Sequence, residues 1–363
     1  MFAPIAFEDL TFPQQTLPKY WSGEESMKWM RAAEVFNSGS AKSPVYGTAV
    51  NIGSAITYRG GGSLASNGKV YFPGVVGNSN CYVIDNNDTV TTIAQGQVQG
   101  DNSCFDPYTN RVILSSQANV YCIIDTTNDT KVSTFTSNGG GYNGLVLSYE
   151  ASIMFSPNDY SGVAGVAKVN AATGTQVSVK AQAGNYLYGS MAYNGKMYWG
   201  SGDQTTFLEY DPAADTVTTF GSVTAGAFRG VTFHPNGFLY SMGTNNGTIL
   251  RINPKTREVT TVLTGQNSAF YTCGCVGADG QIYFIGSTTT VVVYNPYTNK
   301  GTTITMPAGS WQGIVMRGNG DLIASPWGSG QFVKIPIVKN REYFLANGQN
   351  GGGVFGRHVA SVG

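Results

Sequence analysis

The residues best suited to chemistry form a series along the chain. Arg59, Asn102, Asn143, Leu187, Arg229, Thr272 and Gln312 recur roughly 42 residues apart, each just after an aromatic or acidic residue: Tyr58, Asp101, Tyr142, Tyr186, Phe228, Tyr271 and Trp311. Brought together, they would make a ring of basic, amide and hydroxyl groups. Arg59 and Arg229 could hold a small anion, although arginines satisfied within the fold are the plainer reading. A divalent cation needs several oxygen ligands. Asp101 is the one acid of the series and two arginines oppose a cation, so no metal and no cofactor is expected. A general base beside acids, or a Ser-His-Asp set, would have to come from two histidines. His234 precedes Pro235-Asn236-Gly237, a turn sequence, and His358 lies near the C-terminus. Glycine-rich "GGGS" at Gly60 and "NGGGYNG" at Asn138 do not lead into a Lys-Ser/Thr helix start, so they are not phosphate loops. No catalytic residue is assigned, and the chain is not expected to be an enzyme.

The elements that would position this series repeat at the same period. An Asp or Asn ends an apolar run at Asp85, Asp125, Asn170, Asp211, Asn253 and Asn295, and Pro336 stands where a seventh anchor is due. Each unit carries an inner run, a Gly-containing turn ("SNGK", "YNGK", "PNGF", "ADGQ", "GNGD"), a second run such as "KVYFPG", a third ending at the anchor, and a Thr/Val-rich fourth such as "DTVTTF". Asn-Gly at such a place favours a two-residue hairpin with both turn residues at positive φ. The anchor side chain can cap the turn that follows it. Four antiparallel strands per unit, repeated, predict an all-β, seven-bladed β-propeller over residues 44–340. The ring series would then line one mouth of its central channel. Closure needs a strand from one end of the chain: "PVYGTAVNI" (residues 44–52) is preferred over "REYFLA" (341–346).

These blades resemble the loosely related propellers of the YVTN, streptogramin-lyase and SMP-30-like groups. The resemblance covers the propeller core, and its motifs report blade architecture. Lyase or lactonase activity at the channel mouth would need a histidine beside acids, or a converging metal set, and the ring series supplies neither.

Outside the repeat lie an N-terminal arm (1–43) and a Gly-rich C-terminal arm (341–363). "WSGEESMKWMRAAEVFNSG" reads as a short helix: Ser22 and Glu25 make a capping box, and Met27, Trp29, Met30, Ala33 and Phe36 give an apolar face. Trp21, Met27, Trp29, Met30, Phe36 and Phe355 are the residues expected to bind partners.

Composition bounds the rest. Lys+Arg and Asp+Glu number 21 each, so net charge is zero, and charged residues make up only 12%. No basic field exists to gather nucleic acid or an anionic membrane. No apolar run reaches the ~18 residues of a membrane helix, and "MFAPIAFEDLTFPQQ" lacks the basic start of a secretory signal. Five cysteines (Cys81, Cys104, Cys122, Cys273, Cys275) show no zinc or redox spacing. The sequons at Asn87, Asn128 and Asn246 fall in turns, where Asn is expected anyway. A low-charge, Gly-rich propeller with two arms is similar to the propellers of virus vertices, spikes and phage tails. The expected function is therefore structural: a component of a viral or phage particle, located in the virion, that binds other particle proteins through its arms and docks a host receptor or glycan. The alternatives are a carbohydrate-binding propeller using Trp199, Trp311 and Trp327, which would have to be exposed, and the lyase or lactonase reading.

Overall fold

In a computed structural model, the described residues comprise most of 45–338, interrupted by short segments that join the strands. The expected helix and the arm residues Trp21, Met27, Trp29, Met30, Phe36 and Phe355 lie outside the described residues, as do Arg59, Asn143 and Thr272 of the ring series.

Among the described residues are seven four-stranded antiparallel sheets. The first contains Ser63–Leu64, Val70–Phe72, Asn80–Ile84 and Val90–Ala94, from innermost to outermost. The following five blades repeat this order. The last combines Trp311–Met316, Leu322–Pro326 and Gly328–Ile335 with Val50–Tyr58 as its outer strand. Each innermost strand touches that of the next blade, and the last touches the first, so the ring is closed.

Burial on both faces explains why the middle strands read as unbroken apolar runs rather than as alternating ones. Cys81 and Val83 pack against Val112, Leu114, Cys122 and Ile124 of the second blade. Their strand neighbours Tyr82 and Ile84 pack against Val315, Ile323 and Phe332 of the seventh. Each strand thus serves two cores, one per face. Burying such a side chain contributes about 1.5–3 kcal/mol, so every seam is a hydrophobic interface in its own right. The outer strands meet a neighbour on less of their surface and are Thr-rich and partly exposed, as Thr130–Thr136 shows. Cys81, Cys104, Cys122 and Cys275 are buried thiols within this packing.

The anchor residues do what their position requires. Asp85 Oδ1 accepts the Asn87 and Thr89 N–H groups at 2.8 and 2.9 Å. Asp125 accepts that of Thr127, and Asn170 that of Thr173. Asp211, Asn253 and Asn295 each accept two. Each cap occupies turn donors that strand pairing leaves over. These turns end in residues at positive φ: Asp88, Asp129, Asp215, Arg257 and Asn299. Arg257 is the least suited to that region. Its side chain crosses to the preceding blade, where Arg257 Nη2 and Lys196 Nζ sit 2.9 and 3.0 Å from Glu209 Oε1. Burial alone would raise the Glu209 pKa, but the bonds from Arg257 and Lys196 outweigh it and hold the carboxyl below its ordinary value.

Three expectations are corrected. The Asn-Gly hairpins are not two-residue turns with both residues at positive φ. Gly68 N–H bonds to Ala65 O while Ala65 N–H bonds to Lys69 O, and only Gly68 has positive φ. This is a type I turn followed by a glycine bulge, and it leaves the Asn side chain directed at its neighbours. The same pair of bonds recurs at Ala192 and His234. Second, Tyr58 does not open an inner strand: it ends the outer strand of the seventh blade. The chain then crosses to the first inner strand through Gly60–Gly62, where a Cβ on Gly62 would lie 2.3 Å from the Phe72 ring. Third, the N-terminal side does close the ring, but with Val50–Tyr58 rather than with residues 44–52. Val45–Tyr46 instead pairs with Ile337–Val338 in a separate two-stranded stem, and Gly47 N–H bonds to Pro336 O.

A chain beginning at residue 44 should unfold as cooperatively as the full chain, followed by circular dichroism on heating. One beginning at residue 59, without the outer strand of the seventh blade, should lose that cooperativity. Equal transitions for both would show that Val50–Tyr58 does not close the ring.

Candidate functional site

The channel is where a propeller concentrates its inner strands, and its lining is built from their first residues. The inner strand of the fourth blade (Tyr186–Met191) makes a parallel bridge to the fifth: Tyr188 N–H bonds to Arg229 O, and Val231 N–H to Tyr188 O. The Tyr188 side chain extends across the ring. Gln312 Nε2, on the inner strand of the seventh blade, donates to Tyr188 Oη at 2.8 Å. Gln312 Oε1 in turn accepts the Gly60 N–H at 2.8 Å. Both side chains are buried. The link joins the fourth, seventh and first blades through the middle of the ring. The residues four before the hairpin turn, where the fourth blade has Tyr188, are Gly61, Gly230 and Gly313 in blades one, five and seven, and a Cβ on Gly313 would lie 2.7 Å from Gly60 O of the adjoining blade.

Of the ring series, Gln312 belongs to this link. Asn102 is buried, with Oδ1 accepting the Ser103 N–H and its carbonyl accepting Ser115 Oγ–H, both within the second blade. Arg229 is half-buried and contributes its carbonyl to the bridge. Leu187 is buried. The aromatic residues Tyr186, Phe228 and Trp311 are buried in the packing between blades. Sequence reasoning missed Tyr188. The signal was present as a large residue in a slot that is glycine in three other blades.

His234 is fully buried and held in one tautomer. Its Nδ1 accepts the Asn236 N–H at 3.0 Å, so Nε2 carries the proton and donates to Gly280 O in the sixth blade at 2.9 Å. Tyr240 and Tyr297 pack edge-on against the ring. Burial pushes the pKa down to about 4 despite the two hydrogen bonds. This imidazole is a neutral link between blades with both nitrogens occupied, which leaves it no lone pair with which to act as a base. His358 lies outside the described residues. Among the described residues no three His, Cys, Asp or Glu side chains are grouped to hold a metal ion. The carbohydrate reading needs exposed tryptophans. Trp199 is fully buried with Nε1 donating to Gly144 O at 2.7 Å, and Trp311 is buried as well; only Trp327 is half-exposed.

No protein-family model matches the chain, and no curated protein matches it in sequence. Solved structures do match in fold. A streptogramin B lyase superposes with a TM-score of 0.67 at 12% identity, over 80% of this chain and 97% of the lyase. Virginiamycin B lyase from Staphylococcus aureus gives 0.68 at 12%, over 82% and 100%. The WD40 β-propeller domain of Doa1 gives 0.65 at 16%, over 82% and 98%.

By fold, the chain is a β-propeller. At these identities the likeness is one of architecture alone, and it spans enzymes and non-enzymes. A His-to-Ala variant of virginiamycin B lyase is described as catalytically inactive. In this propeller the described histidine is the seam residue His234.

Two measurements check these assignments. Tyr188→Phe removes the acceptor for the Gln312 amide and should cost about 1–3 kcal/mol in urea unfolding; no change would mean that the link is not formed. His234 has a folded pKa below its unfolded value near 6.5. Its contribution is therefore complete above pH ~6.5 and is lost as pH falls toward 4, by roughly 3 kcal/mol in total. Imidazole NMR shifts should stay neutral down to about pH 4; titration near 6.5 would contradict the buried, doubly bonded ring.

Proposed function

We propose that this propeller is a structural and docking component of a large assembly and not an enzyme. The observation that carries this reading is the position of the chain ends. Both leave the ring side by side through the stem of Val45–Tyr46 and Ile337–Val338. Tyr46 seats the stem on the sixth blade, edge-on to Tyr283 and accepting a bond from Gln281 Nε2. Residues 1–44 and 339–363 therefore start from one spot on one blade pair, as attachments to a neighbouring protein would. Ring closure by Val50–Tyr58 uses a strand that lies inside the stem and outside both segments.

Three further observations support it. The channel is crossed by the Tyr188–Gln312 link, His234 is committed to a seam, and several of the described ionisable residues pair across or beside the seams. Arg317 bridges Asp88 and Asp321, Lys334 meets Asp88, and Lys69 meets Asp129. Zero net charge suits a protein held in an assembly better than a concentrated solute. Among assemblies, a viral or phage particle fits best: arms that reach onto neighbours add buried area beyond the globular footprint, and Trp21, Met27, Trp29, Met30, Phe36 and Phe355 would supply it. Loops rich in Gly, Asn, Ser and Tyr would remain for a host receptor or glycan.

The test compares the full chain with one cut back to residues 44–340 by light scattering, with limited proteolysis alongside. The full chain should self-associate or bind its neighbour through the arms, and the shortened one should be a monomer with an unchanged melting temperature. A monomeric full chain whose arms resist protease would assign the arms to its own fold and overturn the reading.

A further inference from the structure

The Asn-Gly turns carry a chemical hazard. In a mobile Asn-Gly pair the glycine nitrogen attacks the Asn Cγ, ammonia leaves, and the resulting succinimide is opened by water to aspartate or isoaspartate. The attacking nitrogen must lose its proton, and the carboxamide must swing onto it. Both are blocked at three turns. The glycine N–H groups of Gly68, Gly195 and Gly237 are each given to a carbonyl across the turn at 3.0 Å, those of Ala65, Ala192 and His234. The carboxamides are held at both ends. Asn67 Nδ2 donates to Tyr71 Oη and to Thr126 O of the next blade, at 2.8 and 2.7 Å, while Oδ1 accepts the Lys69 N–H. Asn194 repeats the set with Tyr198 Oη, Pro254 O of the next blade and the Lys196 N–H. Asn236 donates to Tyr240 Oη and accepts the Phe238 N–H. The Asn-Gly-x-x-Tyr spacing is what brings each tyrosine hydroxyl to its amide.

We propose that Asn67 and Asn194 are deamidation sites kept closed by the blade seam, so that each reacts only when its seam opens, and that reaction at Asn67 then prevents its seam from re-forming. The second half follows from proton count. Tyr71 already gives its hydroxyl proton to Asp129 Oδ1. An aspartate at position 67 would face that oxygen, the Thr126 carbonyl and the Asp129 carboxylate with no proton to offer. A satisfied network becomes a repulsive one. Deamidation at these turns thereby records local opening, which in a folded protein is a minor population.

The experiment incubates the full chain at neutral pH, folded and in urea, and follows peptides containing Asn67 and Asn194 by mass spectrometry. In the folded chain both should deamidate many-fold more slowly than in the unfolded chain. Tyr71→Phe should speed Asn67 several-fold and leave Asn194 unchanged, and Tyr198→Phe should do the reverse. Folded and unfolded chains reacting at one rate would overturn the proposal. So would a Tyr71→Phe protein that speeds neither site, or a Tyr198→Phe protein that speeds both equally while still folded by circular dichroism. Should either variant not fold, the comparison of folded and unfolded wild-type chain decides alone.

Discussion

The close approach of inner strands at the centre of the ring is the constraint on which the rest of the structure depends. Wedge-shaped sheets close into a ring only if their inner edges come nearly into backbone contact, and only small residues permit that. Ser63 Oγ reaches Ser103 Oγ at 2.8 Å, Thr232 Oγ1 reaches Gly274 O, and Ser325 Oγ reaches Gly60 O. Each bond runs from one blade to the next, and Thr232, Ser325 and, through Gly61 O, Ser103 also satisfy a backbone carbonyl there. Where even a hydroxyl would not fit, glycine stands. A Cβ on Gly144 would lie 1.8 Å from Leu187 O, and one on Gly200 would lie 2.5 Å from the Phe228 carbonyl. Tyr188 is the exception: one large side chain reaches from the fourth blade to Gln312 of the seventh.

Farther from the axis the seams widen and change character. Aliphatic and aromatic residues fill them at mid-strand, as at Phe72 against Phe332 with ring centroids 4.7 Å apart. At the turn end, charged and amide groups take over. Glu209 is almost wholly buried yet has two cations, and Arg317 is buried among Asp88, Asp321 and the Asp85 carbonyl. Breaking one partner of such a cluster is costly. The ionisable residues of these two clusters are thus spent on holding blades in place.

The architecture was legible in the sequence because its strongest signals are local. A capping Asp or Asn works through the next few residues, so Asp85, Asp125, Asn170, Asp211, Asn253 and Asn295 announce themselves at a fixed period. The hairpins were located correctly but their geometry was not, because Asn-Gly serves two turn types and the dipeptide alone does not choose between them. Tyr58 was placed on the wrong strand for a related reason: at the closure the chain passes from the last blade to the first, and the regular phase breaks there. The Tyr188–Gln312 link joins residues 124 apart. No local pattern encodes it, and only the closed ring brings the two together. His234 was read as a turn-packing residue, and its tie to Gly280 shows what that packing consists of.

The stem formed by Val45–Tyr46 and Ile337–Val338 also sets how the molecule responds to force. Because both ends emerge together, a pull that separates them does not stretch the ring across its diameter. It peels an antiparallel pair one bond at a time, the weakest way to load a strand pair, and then reaches Val50–Tyr58 along Gly328–Ile335. The seventh blade is therefore the mechanical fuse. The other six are shielded, since no tension reaches them until the ring has already parted at that strand.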